Sequence, residues 1–122
     1  MNIGLIGIGT VGGGTYQVLK ENAEEISNKS GIEIKITHVA DKNLKLAKET
    51  VDKETIIEED AFSLLENSSI DTIIELIGGT GIALDIVRKA LENGKHVVTA
   101  NKALIAMHGE ELFKIANKKN VL

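Results

Sequence analysis

The sequence of 122 residues contains no cysteine and very few aromatic residues, namely Tyr16, Phe62 and Phe113. The lack of cysteine excludes a disulfide framework, thiolate metal sites and cysteine nucleophiles. Because aromatic rings are so scarce, a hydrophobic core must be built from Ile, Leu, Val and Ala. The hydrophobic fraction of 43% and the charged fraction of 26% are ordinary for a globular protein, and the length fits one domain.

Basic excess, a leader peptide and long apolar runs are also missing. The formal net charge is -4, which argues against a nucleic-acid partner. The first residues, MNIGLIGIG, lack the charged region and longer apolar stretch of a secretory signal peptide. No apolar run approaches the roughly 20 residues needed to span a bilayer. We therefore expect no nucleic-acid binding, no membrane association and a cytoplasmic location.

What the sequence does contain is an alternation of short apolar runs and amphipathic segments. Strands are predicted at residues 3–8, 33–40, 55–57, 72–77 and 96–100, with a sixth beginning at 120–122. Helices are predicted at residues 10–26, after Asn43, after Asp60, over 83–91 and over 109–117. Gly94 follows the fourth helix where a left-handed C-cap belongs. This order predicts a single α/β domain with a doubly wound parallel sheet.

A glycine-rich segment follows the first predicted strand and opens the first helix: Gly7, Ile8, Gly9, Thr10, Val11 and Gly12. This G-x-G-x-x-G spacing, between a strand and a helix, is typical of Rossmann-type dinucleotide-binding domains. Gly7 would make the tight turn, Gly9 would let the backbone approach a pyrophosphate, and Gly12 would let the helix pack closely. The alternative is a tight strand-to-helix turn without a ligand.

Asp41 and Lys42 follow the second strand, where an acid can accept hydrogen bonds from an adenosine ribose. The alternative for Asp41 is an ordinary acidic charge at a helix N-terminus beside Asn43. Asp41 favours NAD, whereas Lys42 could neutralise the 2′-phosphate of NADP. The sequence hypothesis is that both cofactors, NADP and NAD, bind with little discrimination.

Gly78, Gly79 and Thr80 follow the fourth strand and are predicted to approach the cofactor, with helix capping as the alternative for Thr80. Glu75 is a carboxylate inside the apolar run TIIELI. Because burying a charge is costly without hydrogen bonds, we expect backbone N–H groups or Lys102 as its partners. A structural role is favoured over a catalytic one.

Asn101 and Lys102 end the fifth strand and complete a set of four sites, one after each of four strands. Such sites meet at the carboxyl edge of a parallel sheet, where these folds bind ligands. The three histidines show neither metal-ligand spacing nor a Ser/His/Asp arrangement, so no metal site is expected. His38 and His96 are predicted to be structural, and His108 to lie near the start of the last helix.

Three stretches, GLIGIGTVGGGT, IIELIGGTGIA and GKHVVTANKALIAMHGEEL, are similar in order and spacing to the nucleotide-binding domain of homoserine dehydrogenases. The resemblance covers nearly the whole chain, and VVTANKALIA is its most specific part. It implies an oxidoreductase that interconverts aspartate 4-semialdehyde and homoserine with NADPH or NADH, in the biosynthesis of threonine, methionine and isoleucine. It also implies that Lys102 contacts substrate or cofactor and takes part in proton transfer.

In that family the remaining substrate site, the dimer interface and a monovalent-cation site belong to a C-terminal domain. We therefore expect residues 1–122 to be the dinucleotide-binding domain of a longer, self-associating protein, inactive by itself. Two alternatives stay open: a related amino-acid dehydrogenase such as aspartate dehydrogenase, and a non-catalytic nucleotide-sensing module.

Overall fold

The computed structural model describes residues 1–77 and 81–121, apart from the side chain of Thr10. Five parallel strands form one sheet in the order β3-β2-β1-β4-β5. The strands are β1 Asn2–Ile6, β2 Lys35–Ala40, β3 Ile56–Glu58, β4 Thr72–Glu75 and β5 His96–Thr99. The helices are α1 Thr10–Ser30, α2 Leu44–Thr50, α3 Ala61–Leu65, α4 Gly81–Glu92 and α5 Lys102–Lys119. This architecture confirms the Rossmann-type prediction.

Helices cover both faces of the sheet because β1 sends alternate apolar side chains to opposite sides. On one face, Ile3 and Leu5 pack in a cluster with residues of α1 and α2, among them Tyr16 and Ala47. On the other face, Ile6 packs in a cluster with residues of α3 and α4. The predicted apolar face of α4 is confirmed, since its five members are all buried: Ala83, Ile86, Val87, Ala90 and Leu91.

The ends of the central strands are level, which places the segments that follow them at one edge of the sheet. Ile6 of β1 is in register with Ala40 of β2 and with Glu75 of β4. Glu75 is in turn in register with Thr99 of β5. The expected convergence of the loops after these strands therefore holds for the described residues.

Side-chain caps fix two of the predicted helix starts. The side chain of Asn43 accepts a hydrogen bond from Leu46 N at 3.1 Å, and that of Asp60 accepts one from Phe62 N at 3.0 Å. Gly94 adopts the predicted left-handed conformation with a φ of 77°. The first helix continues four residues beyond the predicted end and is closed by Gly31 with a φ of 73°.

The prediction for the last helix was wrong at its start. Helix α5 begins at Lys102 rather than at residue 109, because the Asn101 side chain accepts from Leu104 N at 3.0 Å and caps it. Gly109 lies inside the helix, where its Cα faces Ile105 and Phe113, and His108 is therefore in mid-helix. The prediction placed the helix start at Gly109 because glycine is unfavourable inside a helix. That cost is only about 1 kcal/mol, and capping and packing can offset it.

The expected sixth strand does not begin at Asn120 within the described residues. Asn120 instead closes α5 in the left-handed conformation, with a φ of 59°. The N–H of Val121 donates to the carbonyl of Ala116 at 3.0 Å, so this residue is tied back onto the helix.

His38 belongs to a hydrogen-bonded chain that holds its imidazole in one neutral tautomer. The Asn67 amide oxygen accepts from Ser69 N at 2.9 Å, which turns the amide nitrogen towards His38 Nε2 at 3.3 Å. Because the amide nitrogen can only donate, Nε2 must accept and Nδ1 must donate to Thr37 Oγ1 at 2.8 Å. Burial lowers the pKa of His38, while the nearby Glu58 carboxylate acts in the opposite direction.

We expect His38 to lower the stability of this chain as the pH falls below the ordinary histidine pKa of about 6.5. The unfolded chain takes up a proton on His38 at a higher pH than the folded chain does, so protonation favours unfolding. The stabilisation is complete above the ordinary histidine pKa and is lost as the pH falls through the lowered pKa of the folded state. Urea unfolding at several pH values checks this, with His38→Gln as the control that removes the titrating group. Equal pH dependence of the two proteins would contradict the assignment.

Candidate dinucleotide-binding site

The turn after β1 requires glycine at position 7 for two separate reasons. Gly7 has a φ of 97°, a conformation that other L-residues rarely adopt. A Cβ at this position would also lie 3.2 Å from the carbonyl carbon and oxygen of Leu76. The N–H of Gly7 donates to the Ala40 carbonyl at 2.9 Å, which ties the turn to the end of β2. This geometry supports the role of Gly7 as the residue that makes the tight turn.

Gly12 and Gly9 differ in what a side chain would meet. A Cβ on Gly12 would lie 1.8 Å from the carbonyl oxygen of Gly7, so only glycine lets α1 start against the turn. A Cβ on Gly9 would meet no described atom within 4 Å, and the backbone of Gly9 is extended, with φ -61° and ψ -162°. The described part of the protein thus gives no packing reason for glycine at position 9, which leaves open space beside the helix start.

The N-terminus of α1 has the features of an anion-binding site. Its N-cap is Gly9, which has no side-chain acceptor, and its first turn contains no acidic residue. The first N–H groups of a helix have no partners within the helix and carry partial positive charge. Thr10, Val11 and Gly12 are the first three residues of α1 and contribute these N–H groups. The arrangement fits a pyrophosphate, which is the group that a dinucleotide would place there.

Asp41 lies directly after β2 and connects the glycine turn to the next loop. Its Oδ2 accepts from Ile8 N at 2.7 Å, and its Oδ1 accepts from Asn43 N at 2.8 Å. The second of these bonds is a local contact at the start of α2, as the alternative interpretation of Asp41 expects. The bond to Ile8 could not have been found from sequence, because it joins residues 33 positions apart. Each carboxylate oxygen has further acceptor capacity, so a ribose hydroxyl can still donate to Asp41.

A cavity of about 600 Å³ lies beside Asp41 and the glycine turn. Apolar side chains form much of its lining, and the charged residues are Asp41, Lys42, Glu59 and Asp60. The apolar side chains of this lining are Ile6, Ala40, Ala61, Phe62, Ile77, Ile82 and Ile86. Glu59 and Asp60 were not predicted as site residues. Their position directly after β3, at the same sheet edge, was the signal that could have found them.

A second cavity of about 370 Å³ contains the predicted catalytic lysine. Its lining residues are Val11, Glu75, Leu76, Ala100, Asn101 and Lys102. Lys102 is exposed at the first position of α5, where it follows the capping residue Asn101. The two cavities share no lining residue, and the sheet order places the glycine turn after β1 between the loops after β2 and β5. The predicted residues therefore divide into two groups on either side of that turn.

Glu75 is fully buried, with 0% exposure, at the end of β4. Its Oε1 accepts from Ile77 N at 2.8 Å and its Oε2 from the Thr99 hydroxyl at 2.7 Å. The expectation of a backbone N–H partner is confirmed, and the Thr99 hydroxyl was not foreseen. The predicted contacts of Gly78, Gly79 and Thr80 lie outside the described residues.

Two structural features are absent from residues 1–77 and 81–121. None of the helices described there is long and apolar enough to cross a membrane. That part of the chain also holds no group of three or more His, Asp or Glu side chains placed to bind a metal ion. His108 Nδ1 lies 3.8 Å from the carboxylate of Glu111, which follows it by three positions in α5.

The sheet order, the glycine turn and the open helix start define a Rossmann-type dinucleotide-binding domain. Residues 7–122 match the family model described as the homoserine dehydrogenase NAD-binding domain. The chain belongs to this family.

Individual relatives agree with the family assignment. The chain is 51% identical to homoserine dehydrogenase of Methylobacillus glycogenes over 98% of its length, covering 29% of that protein. It is 48% identical over its whole length to the enzyme of Neisseria gonorrhoeae, of which it covers 28%. The crystal structure of a homoserine dehydrogenase from Thiobacillus denitrificans superposes with a TM-score of 0.92 at 44% identity, over 99% of this chain and 28% of that one. The chain thus spans less than a third of these relatives, and they favour homoserine dehydrogenase over the alternatives.

Proposed function

We propose that this chain is the cofactor-binding part of a longer homoserine dehydrogenase, which interconverts aspartate 4-semialdehyde and homoserine. The observation that carries the proposal is the contrast between two glycines of the family motif. Gly12 is required by the protein's own backbone, whereas Gly9 faces open space at the positive end of α1. A glycine with no packing role at a helix N-terminus is what close approach of a pyrophosphate requires.

The two cavities supply the remaining contacts in this proposal. The pyrophosphate would accept from the N–H groups at the start of α1, and the adenosine ribose would donate to Asp41. The nicotinamide end would lie in the cavity of Ala100, Asn101 and Lys102. The bound nicotinamide supplies the hydride for the aldehyde carbon, and the protein supplies orientation. Contacts from Gly78, Gly79 and Thr80 stay predictions.

Lys102 is proposed as the catalytic residue. Reduction of an aldehyde places negative charge on its oxygen, which must also gain a proton. An ammonium group near that oxygen can stabilise the charge and relay the proton. Lys102 stands at the N-terminus of α5, where a cation opposes the helix dipole and an acid would be favoured. A functional role explains a lysine at a position that is unfavourable for the helix.

For cofactor preference, the charges around the larger cavity favour NADH by a modest factor. Asp41, Glu59 and Asp60 outnumber Lys42 among its charged residues, and a 2′-phosphate would feel their excess negative charge. Lys42, Glu59 and Asp60 are exposed and Asp41 is half-buried, so each charge contributes only roughly 0.2–1 kcal/mol. Because tenfold in affinity corresponds to about 1.4 kcal/mol, we expect NADH to bind about tenfold more tightly than NADPH. The hypothesis from the sequence was that both cofactors bind with little discrimination. The proposal keeps binding of both and adds a modest preference for NADH.

One experiment tests the function and the preference together. The protein that continues this chain to the length of its relatives is assayed with aspartate 4-semialdehyde and either NADH or NADPH, beside residues 1–122 alone. We expect turnover with both cofactors for the long protein, higher kcat/KM with NADH, and none for the 122-residue chain, which lacks the remaining substrate contacts. A long protein inactive with this aldehyde would refute the function, and a preference above about a hundredfold would refute weak discrimination. Self-association and a cytoplasmic location stay predictions.

A further inference from the structure

A continuous chain of hydrogen bonds connects the ends of β4 and β5. It starts at Ile77 N, which donates to Glu75 Oε1, and continues from Glu75 Oε2 to the Thr99 hydroxyl. The Thr99 oxygen in turn accepts from Asn101 N at 3.0 Å. Asn101 is the residue whose side chain caps α5, the helix that begins with Lys102. The series of hydrogen bonds therefore runs from the segment after β4 to the first turn of α5, which carries Lys102.

Only a carboxylate at position 75 satisfies these described donors together. Both of its oxygens accept, one from a backbone N–H and one from a hydroxyl. The amide oxygen of a glutamine could accept from Ile77 N. The amide nitrogen would then face Thr99 Oγ1, and the Thr99 hydroxyl would lose its acceptor. Turning the amide over would place two donors together at Ile77. Burying a carboxylate is unfavourable unless its oxygens are hydrogen-bonded, so joining two strands alone does not explain a glutamate at this position.

These hydrogen bonds lie beside the cavity that contains Lys102, and this position indicates their role. Glu75, Asn101 and Lys102 line the same 370 Å³ cavity, in which the proposed function places the nicotinamide and the aldehyde. We propose that Glu75 and Thr99 are positioning residues for this cavity: they hold the start of α5, and with it Lys102, in a fixed place relative to the segment after β4. The inference rests on the proposed function, because it concerns the placement of a catalytic group.

The test is turnover of the long protein with the substitutions Glu75→Gln, Thr99→Val and Thr99→Ser. Misplacement of a catalytic group by 1 Å can cost about a hundredfold in rate, so we expect at least about a tenfold fall in kcat for Glu75→Gln and Thr99→Val. The KM for aldehyde and cofactor should change much less. Thr99→Ser keeps the hydroxyl and should restore kcat. The kcat of the double variant Glu75→Gln/Thr99→Val should be no lower than that of the more affected single variant, because both substitutions interrupt the same series of hydrogen bonds.

Two controls separate positioning from general destabilisation. Thr72→Val removes another buried hydroxyl, one that has no hydrogen-bond partner within the described structure, and should leave kcat unchanged. Ile70→Val makes a small cavity in the core and so lowers stability, without removing any of the hydrogen bonds between Ile77 and Asn101. Its kcat should also be unchanged.

The outcomes distinguish the two proposals. If the unsubstituted long protein does not reduce the aldehyde, the proposed function fails and the positioning role fails with it. If it does, and Glu75→Gln and Thr99→Val keep its kcat or lose no more than Ile70→Val does, only the positioning role is overturned. Faster amide hydrogen exchange at Asn101 in Thr99→Val than in Thr99→Ser is the expected structural readout. Equal exchange would show that Thr99 does not hold the start of α5.

Discussion

Replacing Gly9 by valine is expected to abolish NADH binding to this chain while its fold stays intact. The backbone of Gly9 is extended, and a Cβ there meets no described atom within 4 Å, so the folded protein accepts the side chain. The same side chain would occupy the space that a pyrophosphate needs at the start of α1. Calorimetric titration should show no binding by Gly9→Val, and circular dichroism and thermal unfolding should match the unsubstituted chain.

Gly14→Val is the matched control for this experiment. Gly14 lies in the same helix and also faces open space within the described structure, but it is not part of the glycine turn. We expect this variant to bind NADH normally. If Gly9→Val binds as tightly as the unsubstituted chain, the pyrophosphate does not lie at the start of α1.

Gly12→Ala should behave in the opposite way to Gly9→Val, since its Cβ would lie 1.8 Å from a backbone oxygen. No side-chain rearrangement relieves that contact, so the turn or the helix must move and stability must fall. Gly13→Ala, at the next position, meets only ordinary contacts at 3.6 Å and should gain up to about 1 kcal/mol in helix propensity. Thermal unfolding of these two variants measures both effects. Comparison of Gly12→Ala with Gly9→Val then shows which glycine of the turn serves the fold and which serves the ligand.

The overall architecture could be predicted from sequence because it depends on local patterns. The run of Ile3, Leu5 and Ile6 marks a strand buried on both faces, and the spacing of Ala83, Ile86 and Val87 marks one face of a helix. Their positions along the chain fix the alternation of strands and helices. The start of α5 was missed because glycine usually marks a helix boundary, which favoured Gly109. The contact that fixes the start is the hydrogen bond from Leu104 N to the Asn101 side chain.

The positions of the candidate residues relative to the sheet could be predicted from sequence, but the contacts between them could not. Residues after parallel strands must meet at one edge, which correctly brought Asp41 and Lys102 to the carboxyl ends of β2 and β5. Contacts between distant parts of the chain leave no local pattern. The bond from Ile8 N to Asp41 and that from the Thr99 hydroxyl to Glu75 are both of this kind. They depend on strand register, which the structure supplies and composition does not.

Replacing Lys102 by alanine in the long protein is expected to lower kcat by about 10²–10³ and to change the Kd for NADH much less. Lys102 lies exposed at the cavity of Asn101 and Ala100, so its removal leaves no packing defect in the described core. The loss should therefore fall on the chemical step. Steady-state kinetics with aspartate 4-semialdehyde give kcat, and NADH fluorescence titration gives the Kd. Lys114→Ala on the same helix, exposed and 3.9 Å from Glu110, is the matched control and should change neither value.

Lys102→Arg separates the two contributions that an ammonium can make. Arginine keeps the positive charge but does not give up a proton at any pH that the enzyme meets. If charge stabilisation dominates, Lys102→Arg should recover a large part of the turnover that Lys102→Ala loses. If Lys102 relays the proton, Lys102→Arg should be nearly as slow as Lys102→Ala. Near-normal turnover in Lys102→Ala would exclude both contributions and leave Lys102 as a surface residue of α5.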